Sequence, residues 1–132
     1  MNRAISTQID VNSKFKHCRV IGRGAFGQVI ECTNVYSQTQ VAMKIVNKSK
    51  VQANPIIAKL MEQELDVLAK TDHPHIVRHL ELHEDDINFY IVSELVRGGE
   101  LSEHIMKAKR LSERQTVNVI RQILLALNYM HQ

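Results

Sequence analysis

The stretch GRGAFGQV, residues 22–29, follows the pattern G-x-G-x-x-G-x-V, and it decides how the rest of the chain is interpreted. Its flanks, RVIGRG and GQVIECTNV, are rich in valine and isoleucine, which is typical of β-strands. Dinucleotide-binding folds use the same triplet, but there a helix follows the third glycine and an acidic residue comes about 20 residues later. Here a strand follows, and the nearby charged residue, Lys44, has the wrong sign for a ribose hydroxyl. The stretch therefore predicts a strand–loop–strand flap whose backbone amides can approach phosphates, with an ordinary glycine-rich hairpin as the alternative.

Further strands and helices are predicted on the C-terminal side of this flap. QVAMKIV is a third strand, and the polar turn YSQT should pair it with the second strand as an antiparallel hairpin. A helix is expected from about Pro55 to Lys70, followed by two strands, HIVRHLELH and INFYIVSEL. The chain is helical after RGG, with a last helix from about Glu113 to His131 that begins at a capping box of Ser112 and Gln115. This order predicts an α+β fold in which a five-stranded antiparallel sheet packs on one main helix.

A lysine and a carboxylate are candidates for an ion pair beneath the flap. Ala42 and Lys44 are two apart on a strand, so their side chains point to the same face, where a flat base could lie over Ala42. Glu64 falls on the apolar stripe of the predicted helix, formed by Ile57, Leu60, Met61, Val67 and Leu68. A carboxylate on an inward stripe loses hydration unless it is paired, so we expect Glu64 to pair with Lys44.

Composition narrows the class of protein. The chain has 132 residues, 44% apolar and 23% charged, with a net charge of +3, which is ordinary for a globular domain. No run of like charge indicates nucleic acid or an anionic membrane as a partner. The N-terminus has no apolar signal-peptide core, and a cytoplasmic protein is expected.

Neither the two cysteines nor the histidines indicate a disulfide or a metal site. Cys18 and Cys32 lie in predicted strands, and we expect two buried, reduced thiols. His75, His79 and His83 would share one strand face, but nothing nearby completes a metal site, so no metal is predicted.

Several motifs, in order, resemble those of the eukaryotic-type protein kinase family: GRGAFGQV, VAMK, Glu64 followed by VL, HPHIV and SELVRGGEL. The resemblance covers about residues 15–132, and GGEL is similar to the calcium/calmodulin-dependent and calcium-dependent Ser/Thr kinase group. It implies the N-lobe and hinge over 15–96 and the start of the helical C-lobe over 97–132, whereas the polar, patternless composition of residues 1–14 predicts a disordered tail. It also implies that ATP and Mg²⁺ are the ligands and that proteins are the substrates.

The resemblance assigns a role in ATP binding to particular positions. The backbone of three glycines would cover the phosphates, three apolar residues would roof the adenine, and Lys44 would hold the phosphates while Glu64 fixes it. Ser93 falls at the gatekeeper position, where a small residue would leave a deeper pocket. The full set is Ile21, Gly22, Gly24, Gly27, Val29, Ala42, Lys44, Glu64, Ser93, Glu94, Val96 and Glu100, with Glu94 and Val96 in the hinge and Glu100 near the ribose.

The catalytic loop and the D-F-G motif of the family do not occur in the sequence, which ends at ALNYMHQ. Because these motifs carry the catalytic base and the metal ligands, we expect the 132 residues alone not to transfer phosphate. The alternative is a naturally short, non-catalytic interaction module. In-frame kinase motifs downstream of Gln132 would favour the kinase, and a genuine stop codon there would favour the module.

Overall fold

The computed structural model describes residues 10–24 and 27–132, which form two compact units. The first unit contains the described residues up to Lys70 together with Arg78–Leu95, and the second contains Thr71–Val77 and Val96–Gln132. The elements in chain order are α1 (Val11–Lys14), β1 (Phe15–Gly24), β2 (Gly27–Asn34), β3 (Thr39–Asn47), α2 (Lys48–Gln52), α3 (Pro55–Lys70), β4 (His79–Glu84), β5 (Asn88–Glu94), α4 (Leu101–Ala108) and α5 (Glu113–Met130).

The first unit is built on a five-stranded sheet with the strand order β1-β2-β3-β5-β4, and every neighbouring pair is antiparallel. The predicted hairpin of β2 and β3 is present, with Asn34 opposite Thr39 at its closed end. The predicted α+β fold with a five-stranded antiparallel sheet is thus confirmed. The fourth strand is shorter than predicted and begins at His79, because His73–Ile76 forms a turn before it.

One face of this sheet carries the hydrophobic core. Met43 lies opposite Ile30 on one side and Val92 on the other, so the three side chains share a face. Met43 and Val92 are each only 1% exposed. The cluster consists of Phe15, Ile30, Cys32, Val41, Met43 and Val92.

The start of the described chain is fixed to this unit. Residues 1–9 of the expected tail lie outside the described residues, whereas Val11–Lys14 forms a helical turn capped by the Asp10 side chain. Lys14 donates a 2.7 Å hydrogen bond to Glu81, which also contacts the buried His83. Burial alone would raise the pKa of Glu81, but the bonds from Lys14 and His83 outweigh it and lower that pKa. Residues 10–14, which the expected tail includes, are therefore structured and attached to the sheet.

Helix α3 has the predicted bounds, Pro55–Lys70, but the expected burial of its apolar stripe is wrong. None of its residues is buried, and Leu60 and Val67 are 55% and 51% exposed. The short helix α2, which the sequence did not predict, contacts both β3 and α3. Its Val51 is only 4% exposed, so α2 provides the buried helical side chain in the described part of this unit.

The second unit contains α4 and α5. The predicted capping box is confirmed, because the Ser112 hydroxyl accepts from the Gln115 amide and the Gln115 side chain accepts from the Ser112 amide. Tyr129 accepts a 3.0 Å hydrogen bond from the Asp72 amide, which joins α5 to the Thr71–Val77 segment. None of the residues of α5 is buried. Among the described helices, none has both the length and the apolar character needed to cross a membrane.

Candidate functional site

Three of the residues assigned to the site lie in one row across three neighbouring strands. Gly22 of β1 is opposite Val29 of β2, and Val29 is opposite Lys44 of β3. Residues directly opposite in antiparallel strands project to the same face, so Val29 and Lys44 point the same way. The row therefore places the Lys44 side chain next to that of Val29 on one face of the sheet, with Gly22, which has no side chain, in the adjacent strand.

The same face continues along β3 and β5. Ala42 is two residues from Lys44 and lies opposite Ser93. Ala42 and Ser93 are partly buried and Lys44 is exposed, whereas Met43, which points to the other face, is in the core. The predicted common face of Ala42 and Lys44 is therefore present, and it is the open face of the sheet.

The glycines at the end of the hairpin differ in how much space surrounds them. Gly24 pairs with Gly27. A Cβ atom on Gly27 would lie 1.7 Å from the Ile45 carbonyl oxygen, whereas a Cβ on Gly24 would meet no atom of the non-neighbouring described residues within 4 Å. The backbones of β2 and β3 thus approach each other at Gly27 as only glycine allows. The tip of the flap, residues 25 and 26, lies outside the described residues.

Lys44 and Glu64 do not form the expected ion pair. Both residues are exposed, and none of the ion pairs among the described residues joins them. An exposed ammonium and an exposed carboxylate keep their hydration, so neither requires a counter-charge. The argument from desolvation fails because α3 does not bury the stripe on which Glu64 lies.

The remaining assigned residues are placed as follows. Ile21 lies at a register shift of β1 and is 45% exposed. The Glu94 amide donates to the Arg78 carbonyl at 3.0 Å, so a contact from Glu94 to an adenine edge would have to use its carbonyl oxygen. Val96 and Glu100 belong to the second unit, where Glu100 precedes α4 and its carboxylate accepts from the Ser102 hydroxyl.

Two polar residues on the open face were not assigned by the sequence analysis. Glu31 lies opposite Ala42 and binds Arg19 at 3.2 Å, which puts a carboxylate beside the proposed position of the base. Strand alternation from Val29 could have identified it. His79 lies opposite Ser93, and its buried Nδ1 atom has no hydrogen-bond partner among the described residues. Burial lowers the pKa of His79, because the imidazolium would lose its hydration.

Replacing His79 with leucine should raise the free energy of unfolding by about 1 kcal/mol at neutral pH, because the variant buries no unpaired nitrogen. The difference should grow as the pH falls below the ordinary histidine pKa of 6.5. His79 binds a proton more readily in the unfolded protein than in the folded one, because its pKa is lower in the folded protein. Wild type therefore loses stability as the pH falls below 6.5 toward the folded-state pKa of His79, and the leucine variant does not lose this contribution. Urea denaturation near pH 7.5 and near pH 5.5 measures this effect. The exposed His131, replaced by leucine, is the control, and equal pH dependence of wild type and His79→Leu would contradict the assignment.

The expectations for the histidines and cysteines need two corrections. His75 lies outside β4, which begins only at His79, and a register shift between His79 and Glu81 puts His79, opposite Ser93, and His83, opposite Tyr90, on different faces of the sheet. Within residues 10–24 and 27–132, no group of three potential ligand side chains is arranged to hold a metal ion. Cys32 is buried as expected, but Cys18 is exposed, because a bulge interrupts β1 at this point.

An antiparallel sheet with a glycine hairpin and a strand lysine on its open face is the arrangement of the nucleotide-binding lobe of protein kinases. The family model described as "Protein kinase domain" matches residues 15–132, so the chain belongs to the protein kinase family.

The curated relatives confirm the resemblance to calcium/calmodulin-dependent and calcium-dependent kinases. A calcium/calmodulin-dependent protein kinase (cmkA) of Emericella nidulans is 38% identical over 120 residues, which are 91% of this chain and 28% of that protein. A calcium/calmodulin-dependent protein kinase of Metarhizium anisopliae is 38% identical over 122 residues, 92% of this chain and 31% of that protein. Calcium-dependent protein kinase 4 of Plasmodium falciparum is 31% identical over 127 residues, which are 96% of this chain and 24% of that protein. The chain thus spans less than a third of the length of these relatives.

Proposed function

We propose that this chain is the ATP-binding part of a Ser/Thr protein kinase that, when complete, transfers the γ-phosphate of ATP to protein hydroxyl groups. The observation that carries the proposal is the row of Gly22, Val29 and Lys44 across β1, β2 and β3. It brings unhindered backbone, an apolar side chain and an ammonium to one open face, which suits a nucleotide with an apolar base and an anionic tail.

The proposed roles follow the chemistry of these groups. Val29 and Ala42 provide an apolar surface for the base, with Ile21 at its edge. The Gly22–Gly27 hairpin offers backbone amides to the phosphates. Within residues 10–24 and 27–132, no ion pair includes the Lys44 ammonium, which is exposed and can bind a phosphate directly. ATP supplies the transferred group when bound, and Mg²⁺ would neutralise part of its charge.

The other roles are proposed from the family resemblance. Ser93, opposite Ala42, would leave space beside the base, because its side chain is small. Glu94 and Val96 would contact the adenine edge, and Glu100 the ribose. Glu64 would pair with Lys44 in the nucleotide-bound state.

Replacing Lys44 with methionine should weaken ATP binding at least about tenfold, equivalent to about 1.4 kcal/mol, because the variant removes the positive charge and keeps most of the apolar stem. Isothermal titration calorimetry with the full chain measures this change, and urea denaturation checks that the fold is intact. Lys50→Met is the matched control, because Lys50 is also exposed but lies on α2. Unchanged ATP affinity in Lys44→Met would contradict the proposal, as would an equal loss in both variants.

A further inference from the structure

A bulge in β1 brings the two cysteines together. Lys16 is opposite Thr33 and Arg19 is opposite Glu31, so His17 and Cys18 both face the single residue Cys32. His17 has a φ of 57°, the left-handed conformation that accommodates an extra residue in a bulged strand. Opposite residues of antiparallel strands have Cα atoms about 4.5–5.5 Å apart, which lies within the range that a disulfide spans.

The two thiols lie opposite each other on neighbouring strands and differ in access to solvent. Both cysteines are free; Cys18 is exposed, and Cys32 is 1% exposed within the core. The Cys18 thiol is close enough to Cys32 to influence its ionisation, and the Cys18 Sγ lies 4.0 Å from the Phe15 carbonyl oxygen. Burial, with a smaller contribution from Cys18, raises the pKa of Cys32 to about 12. An exposed thiol is therefore placed beside a protected one.

We propose that Cys18 and Cys32 form a modification site that a hydroperoxide oxidises to an intramolecular disulfide. The Cys18 sulfur attacks the peroxide, the O–O bond breaks, and a sulfenic acid forms with release of an alcohol or water. The Cys32 sulfur then attacks the Cys18 sulfur, the S–S bond forms, the S–O bond breaks, and the Cys32 proton leaves with the hydroxide as water. In total, two thiols lose two electrons and two protons, and the peroxide is reduced.

Exposure sets the order of these steps. An oxidant in solution can reach Cys18, whereas Cys32 is enclosed by the core and meets only the oxidised Cys18. Thiol oxidation follows access and thiolate character, and both disfavour Cys32 as the first site. The proposal rests on the register of β1 and β2 and is independent of nucleotide binding.

The test oxidises the full chain, freed of reductant, with hydrogen peroxide and measures its intact mass without reduction. The wild-type monomer should lose the mass of two hydrogens, and a thiol reductant should reverse the change. Trypsin cleaves after Lys16, Arg19, Arg23 and Lys44, so the oxidised protein should yield the peptide HCR, residues 17–19, linked to residues 24–44.

Two variants provide the controls. Cys18→Ser should leave Cys32 reduced under the same treatment, as shown by alkylation in denaturant. Cys32→Ala should instead accumulate Cys18 as sulfenic or sulfinic acid or as an intermolecular disulfide. The proposal is overturned if native wild type forms those same Cys18 products while Cys32 stays alkylatable, or if the internal disulfide forms only after unfolding. If Cys32→Ala does not fold, Cys18→Ser alone still tests the proposal, because it replaces an exposed side chain and removes the thiol that is oxidised first.

Discussion

Gly27→Ala should lower the free energy of unfolding by about 3 kcal/mol, within the range for overpacked sites. The added methyl group would lie 1.7 Å from the Ile45 carbonyl oxygen and 2.9 Å from its carbonyl carbon. Backbone atoms cannot rotate away as a side chain can, so β2 must separate from β3 where Gly27 is opposite Val46. This separation also weakens the ladder hydrogen bonds that position Val29 and Lys44.

Gly24→Ala is the matched control for this variant. The two glycines are paired at the same end of the hairpin, but the methyl group at Gly24 would meet no atom within 4 Å in the part of the chain that the structure describes, its chain neighbours aside. Its stability should stay within about 0.5 kcal/mol of wild type. Urea denaturation of both variants measures the difference. An unchanged midpoint for Gly27→Ala would contradict the close approach, and equal damage in both variants would attribute the effect to the hairpin as a whole.

Met43→Ala should lower the free energy of unfolding by about 2–5 kcal/mol, the range for truncating a large buried side chain. Met43 is 1% exposed and lies between Ile30 and Val92, so its loss leaves a cavity bounded by two rigid β-branched side chains. The variant would lose the contacts of Met43 with Ile30 and Val92 in the core, but it would leave the charged groups of the open face unchanged.

Met106→Ala makes the same chemical change on the surface of α4, where Met106 is 80% exposed. This control should shift stability by no more than about 0.5 kcal/mol, since alanine also favours a helix. Thermal or urea unfolding, followed by circular dichroism, distinguishes the two variants. A loss below about 1 kcal/mol in Met43→Ala would mean that the sheet is not packed around this side chain.

The bounds of α3 and α5 were predictable to within one residue, because a proline or a capping box marks where each helix begins. Pro55 suits the first turn of a helix, and α3 begins there. Ser112 and Gln115 satisfy each other's backbone amides, and α5 begins directly after Ser112. The five strands were predictable because valine and isoleucine cluster between turn residues, and their alternation correctly placed Ala42 and Lys44 on one face.

Features that depend on contacts distant in sequence were not predictable in this way. The β1 bulge contains His17 in a left-handed conformation, and no glycine marks the position. Helix α2 is too short to show a period of 3.6, although Asn47, whose side chain accepts from the Ser49 and Lys50 amides, is a start signal. The position of Glu64 relative to Lys44 depends on how α3 packs. Helical periodicity identifies which residues of α3 share a face, but it does not identify the surface against which that face packs.

The alternation along β3 separates two kinds of constraint within a single strand. Val41 and Met43 fill the hydrophobic core, whereas Ala42 and Lys44, which alternate with them, point to the open face, where the proposed nucleotide would lie. Substitutions that would alter binding of the proposed nucleotide and substitutions that would destabilise the fold therefore fall at neighbouring positions of β3 whose side chains point to opposite faces of the sheet.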